Sequence, residues 1–167
     1  MISPDFARTM AAYNAEMNRR VYGAALRLPD HVRRAEGGVF WQSLHGTLSH
    51  LLWADRTWLS RFGVGEAPRE RLPDSGKLED NFDTLWAQRQ GFDRVLIDWA
   101  GRLEPRDLAG EITWYSGAVG RTVSRPVALI VVHLFNHQTH HRGQAHALIT
   151  RAGETTGDTD LPFVLTD

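Results

Sequence analysis

Cysteine is absent from the 167 residues. That excludes disulfides, thiolate metal sites and cysteine nucleophiles together. Lysine is almost absent as well: Lys77 is the only one among 19 basic residues, a bias that reads as a trace of GC-rich coding and carries no chemistry. No excess of positive charge exists either, because 20 acidic residues bring the net charge to -1. Without that excess the chain lacks the phosphate attraction on which nucleic-acid binding mostly depends, so no nucleic-acid partner is expected. No apolar run approaches the roughly 18 residues of a membrane span, and Met1 to Arg8 has no basic stretch followed by an apolar core. The expectation is a cytoplasmic protein with no membrane partner.

What is present fits one domain over residues 1–167. Hydrophobic residues make up 42% and charged residues 23%, far from the composition of disorder, and a chain of this length buries roughly 70% of its unfolded surface. Phe6, Met10, Tyr13, Met17, Val21, Ala24 and Leu28 recur at spacings of three and four, which predicts a helix from about Ser3 to Arg27. Ser3 and Pro4 suit its cap and first turn, and Pro29 stops it. The spacing of Phe40, Leu44, Leu48, Leu51, Leu52, Trp58 and Leu59 predicts a second helix from Val39 to about Phe62. The segment EAPRERLPDSGKLED reads as an exposed connection. Phe82, Leu85, Trp86, Phe92, Val95, Leu96 and Trp99 then carry a third helix from about Asn81 to Arg102.

Two short β-prone pieces follow, Ile112 to Tyr115 and Thr122 to Val123, separated by glycines as in a small hairpin. Ser124 and Pro126 look like the start of a fourth helix that runs to about Arg151, with Gly153 as its stop signal. The tail is expected to be irregular and packed down by Leu161, Phe163 and Val164. Together these elements predict an all-α four-helix bundle with a short β-like excursion before the last long helix. In such bundles, sites are built from inward side chains on facing helices.

The fourth helix holds HLFNHQTHHRGQ, with four of the eight histidines within nine residues. Positions four apart share a helix face, offset by about 40° and roughly 6 Å along the axis, so His133, His137 and His141 form a stripe. Two imidazoles at that spacing can converge on one metal ion with bonds of roughly 2.0 to 2.1 Å, whereas three from one helix close a tetrahedral face with difficulty. The second helix offers imidazole to the same core through His45 and His50, and the spacing alone does not choose between them. Buried imidazoles need partners for their nitrogens, and a metal ion satisfies several at once. A hydrogen-bonded histidine cluster acting as a pH switch is the alternative, and it lacks obvious acidic partners.

HGTLSHLLWADRTWLSRF, followed about 90 positions later by HLFNHQTHHRGQAHALIT and then by DTDLPFVL, resembles the DinB family of metal-binding four-helix bundles, related to the YfiT-like metal-dependent hydrolases. The resemblance implies that His50, His137 and His141 are the metal ligands. It leaves His133, His140 and His146 outside the triad, in supporting, exposed or pocket-lining positions.

Three histidines match catalytic sites, which keep a coordination position open, better than cysteine-rich structural ones. Imidazole suits zinc, nickel, copper and iron alike. Zinc is the first expectation for the divalent ion, with nickel, iron or manganese behind it. Gln138 stands where the HExxH metalloprotease motif has its glutamate base, which disfavours peptide hydrolysis by that route. Asp55 lies about 140° round the helix from His50 and is expected to be solvated or paired with an arginine. Gly143 inside the helix suggests close approach of another helix. Arg142 suits a buried ion pair, and Gln144 and Asn136 suit supporting hydrogen bonds to the imidazoles. Trp53, with Trp114 or Tyr115, is a candidate wall for an apolar pocket over the metal.

Relatives in the family include transferases that join a low-molecular-weight thiol to electrophiles and isomerases that use one. The function implied is therefore metal-dependent thiol transfer to a small-molecule substrate, with a homodimer as the assembly. A non-catalytic, metal-stabilised dimer that binds a small ligand or acts in stress response is the second reading, and a metal-dependent hydrolase the third.

Overall fold

A computed structural model describes residues 1–165 as four long helices with a two-stranded hairpin before the last. Helix α1 spans Pro4–Arg27, where the Ser3 hydroxyl accepts a hydrogen bond from the Phe6 amide at 3.3 Å and Pro4 occupies the first turn. A short α2 at Asp30–Arg34 follows.

Helix α3 runs Leu44–Arg61, starting five residues later than the apolar spacing suggested. The chain before it passes through positive φ at Gly38 (69°) and Gln42 (67°), which a right-handed helix cannot continue, and Ser43 then caps the Gly46 amide at 3.0 Å. Phe40, expected on the apolar seam, is consequently 77% exposed. Helix α4 spans Phe82–Arg102, and its cap Asn81 accepts from the Thr84 amide at 2.9 Å.

Strands β1 (Glu111–Ser116) and β2 (Arg121–Pro126) pair antiparallel with Trp114 opposite Val123. Both are longer than the β-prone pieces. Ser124 belongs to β2, where its hydroxyl donates to Glu111 at 2.8 Å, so it does not open the last helix. Helix α5 spans Val127–Arg151. The tail forms one helical turn, α6 (Leu161–Val164), and of Leu161, Phe163 and Val164 only Val164 packs down, beside Tyr13 and Met17 and next to Leu165. Leu161 and Phe163 face outward at 37% and 70% exposure, because a single turn has only one buried side.

Helix α1 packs on α4 and α5, and α3 packs on α5 and α4, which closes the bundle. Two large apolar cores fill it among the described residues, beside the small cluster of Tyr13, Met17 and Val164. One gathers Val21, Tyr22, Leu48, Leu51, Leu85 and Ile149; the other gathers Ala7, Ala11, Leu59, Leu96, Leu134 and Phe135. Each fully buried leucine contributes about 1.5–3 kcal/mol by leaving water.

Between the two cores every long helix contributes polar groups to one buried layer: Asn14 and Asn18, Asp55, Arg89 and Asp93, Gln138 and Arg142. Arg89 donates to Asp55 at 2.6 Å and pairs with Asp93 at 2.8 Å, while Asn18 donates to Asp93 at 2.9 Å. Asp55 is thus an arginine partner, wholly buried rather than solvated. Burial pushes the Asp55 and Asp93 carboxyls up against the pull of Arg89. The two carboxylates in turn hold Arg89 in its charged form despite its burial. Arg142 makes no ion pair among the described residues. It donates to Asn14 instead, and burial lowers its pKa to about 10. Gln138 is fully buried in this layer, with both amide atoms lacking a hydrogen bond of good geometry beside Asp55.

Gly143 is exposed, and a Cβ there would meet nothing within 4 Å. No helix approaches it closely, and nothing in the structure requires a glycine at that position.

Candidate metal centre

The α3–α5 contact brings His50 against His137 and His141, and ligand-capable nitrogens of the three lie within 4.8 Å of one another. The His50 Nε2 and His137 Nε2 atoms are 3.3 Å apart. Two bonds of roughly 2.0–2.1 Å at a tetrahedral angle separate ligand nitrogens by roughly 3.3 Å. The pair therefore has the spacing of two ligands on one ion, with a nitrogen of His141 within 4.8 Å of both.

Hydrogen bonds fix which nitrogens face inward. The Ser75 hydroxyl spends its proton on the Leu72 carbonyl at 2.8 Å, so its oxygen accepts from His50 Nδ1, also at 2.8 Å. His50 is then protonated at Nδ1 and presents the Nε2 lone pair to the cluster. Gln144 does the same for His141, its Oε1 accepting from Nδ1 at 2.8 Å. His137 Nδ1 is buried without a partner among the described residues.

Burial and neighbouring imidazoles depress the pKa of His50 to about 2 and of His137 to about 3. His141 is lowered chiefly by burial, against the supporting bond from Gln144. All three are accordingly neutral, and His50 and His141 are held deprotonated on the nitrogen a cation needs. These neutral, convergent lone pairs fit a divalent ion.

Ser75 was not visible in the sequence. The connection that contains it, charged and proline-rich, folds into a 3-10 turn at Leu72–Lys77 that buries this one side chain. Trp41 is a second unexpected neighbour, stacked on His50 at 4.1 Å between ring centroids. A Cβ at Gly46 would collide with the Trp41 carbonyl oxygen, so glycine there lets the Trp41 loop lie against the start of α3.

His50 and His137 open onto a cavity of about 850 Å³. Trp53 and Trp114 line it, whereas Tyr115, on the opposite face of β1, points to solvent at 68% exposure. The Trp53 indole donates to the Glu70 carbonyl at 2.8 Å and ties down the connection that forms one rim. His133 lines the cavity, with its ring 5.7 Å from that of His137 and 5.0 Å from Trp58.

Three further histidines lie outside the cluster, though the His140 ring packs edge-on against that of His141 at 4.9 Å. His45 bonds the Glu79 carbonyl at 2.7 Å, His146 bonds Thr156 at 2.7 Å, and His140 is exposed. Asn136 is also exposed and supports no imidazole among the described residues, since one residue from His137 is about 100° round the helix.

No helix of the described residues is long and apolar enough to cross a membrane. In sequence, the chain is 22% identical over 163 residues to the protein DinB of Bacillus subtilis strain 168, covering 96% of this chain and 94% of that one. In structure, it resembles the crystal structure of a DinB-like protein from Bacillus cereus ATCC 10987, with a TM-score of 0.66 and 19% identity over 88% of this chain and 91% of that one. The family model described as the DinB family matches residues 1–166. With the match running from end to end and the helical bundle on which it rests, the chain belongs to the DinB family.

Proposed function

We propose that this protein is a divalent-metal-dependent transferase that directs a low-molecular-weight thiol onto an electrophilic small molecule, with His50, His137 and His141 as the metal ligands. The observation that carries the reading is a neutral three-histidine cluster opening into a cavity large enough for two small reactants. A divalent ion held by these imidazoles would supply a Lewis acid that keeps a bound thiol in its thiolate form.

The protein's own residues do the rest. Ser75 and Gln144 hold His50 and His141 in the ligating tautomer. Trp41 and Trp53 flank His50 and limit water around it. In the transfer, the sulfur lone pair forms the new C–S bond, the leaving group departs with its bonding pair, and the thiol proton passes to solvent or to His133. Burial and Arg61 keep His133 below its usual pKa, hence neutral and able to accept.

Among the described residues no carboxylate lines the cavity, so the carboxylate-assisted water activation of metalloproteases has no base there. Gln138 faces the buried layer rather than the cavity. The test is a panel of electrophiles offered with glutathione, mycothiol or bacillithiol to zinc-, nickel- and manganese-loaded protein. At least one pair should be accelerated, with loss of rate on chelation and recovery on reloading. No acceleration for any combination would overturn the proposal.

A further inference from the structure

The cavity beside the histidines has a pronounced charge character. Its lining contains two arginines, Arg61 and Arg71, and no aspartate or glutamate among the described residues. The three imidazoles are neutral, so a divalent ion there adds positive charge that no protein carboxylate offsets.

Arg61 is held in a particular way. Its guanidinium lies 4.2 Å from the Trp58 ring centroid and 5.1 Å from that of Trp114, between α3 and the hairpin. It makes no ion pair or side-chain hydrogen bond among the described residues. Burial alone lowers its pKa, the mark of a half-buried cation without a compensating anion. Two indole faces stabilise such a cation and leave its N–H edge free to donate. Arg89, by contrast, is compensated by Asp55 and Asp93, and Arg142, which also lacks an ion pair, donates to Asn14, whereas Arg61 has neither kind of partner among the described residues.

We propose that Arg61 is the anion-recognising residue of this cavity and that its ligand carries a carboxylate received by Arg61 while its other end lies at the histidine cluster. This rests on the reading of the cluster as an open metal centre. Helical rise over the eleven residues from His50 to Arg61 is about 16 Å. The guanidinium lies over Trp58, three residues earlier, which shortens the span to roughly 12 Å. A ligand the size of a tripeptide thiol bridges that distance and cysteine does not. Thiols that end in carboxylates are therefore selected over thiols that end in a neutral sugar.

Calorimetric titration of zinc-loaded protein with glutathione, its diethyl ester and S-methylglutathione tests this. Glutathione should bind about tenfold or more tightly than the diethyl ester, as expected for charge-assisted hydrogen bonds. Arg61→Met should abolish that preference and Arg61→Lys should keep part of it, with zinc content and melting temperature unchanged in both. Equal binding of acid and ester, no binding of either, or an undiminished preference in Arg61→Met would overturn the proposal. The metal-thiol reading fails separately: glutathione and S-methylglutathione would then bind equally, and cobalt-loaded protein would keep its visible spectrum when glutathione is added, while the Arg61-dependent preference persists.

Discussion

At the scale of single residues, the candidate centre depends on groups that never touch the ion. Ser75 and Gln144 each accept from an Nδ1–H and so aim Nε2 inward. Loss of such an orienting partner commonly weakens metal affinity about 10–100-fold. Ser75→Ala is expected to raise the zinc dissociation constant within that range, measured by competition with a chromophoric chelator, while the fold persists; unchanged affinity would contradict the role. Of this pair only Gln144 was legible in the sequence, because it follows His141 by three on one helix. Ser75 reaches His50 from a segment whose prolines and charges are those of a solvated loop. Trp41 was hidden for a related reason: Phe40 extends the apolar spacing of α3 backward, and only the Ser43 cap and the positive φ of Gln42 break it.

At the scale of elements, the four helices are divided by a charged layer that crosses all of them. Asp55 is its most exacting member, since removing it leaves the fully buried Arg89 short of a partner. Asp55→Ala should therefore destabilise the bundle by about 3–5 kcal/mol in urea unfolding, with a change below about 1 kcal/mol contradicting the account. Gly143 offers the opposite case. It occupies an exposed helix interior with open space at its Cβ, so Gly143→Ala should stabilise α5 by about 1 kcal/mol. The helices themselves were readable from leucine and aromatic spacing. The layer was not, because Asn14, Asn18 and Arg89 stand between apolar seams where periodicity assigns polar side chains to solvent, and only three-dimensional pairing makes their burial tolerable.

At the scale of the molecule, the histidine cluster links stability to proton and metal concentration. In the unfolded chain His50 and His137 take up protons near pH 6.5, whereas in the fold they stay neutral down to about 2 and about 3. Below about pH 6.5 the unfolded state binds more protons, so the histidine contribution to stability is full above that pH and is lost as pH falls, by up to about 1.4 kcal/mol per unit for each histidine. Asp55 and Asp93, raised by burial, act in the opposite sense as they protonate. The difference between the metal-free wild type and the His50→Ala/His137→Ala double variant isolates the histidines. The wild type should lose stability faster between pH 6.5 and 5, and parallel curves would refute the assignment.

Metal binding is the other side of this linkage and the centre of the account. Protein purified without an affinity tag, loaded with zinc, dialysed and analysed for metal should hold one ion per chain, and His50→Ala, His137→Ala and His141→Ala should each hold almost none. A wild type that takes up no zinc, or variants that keep a full equivalent, would contradict it.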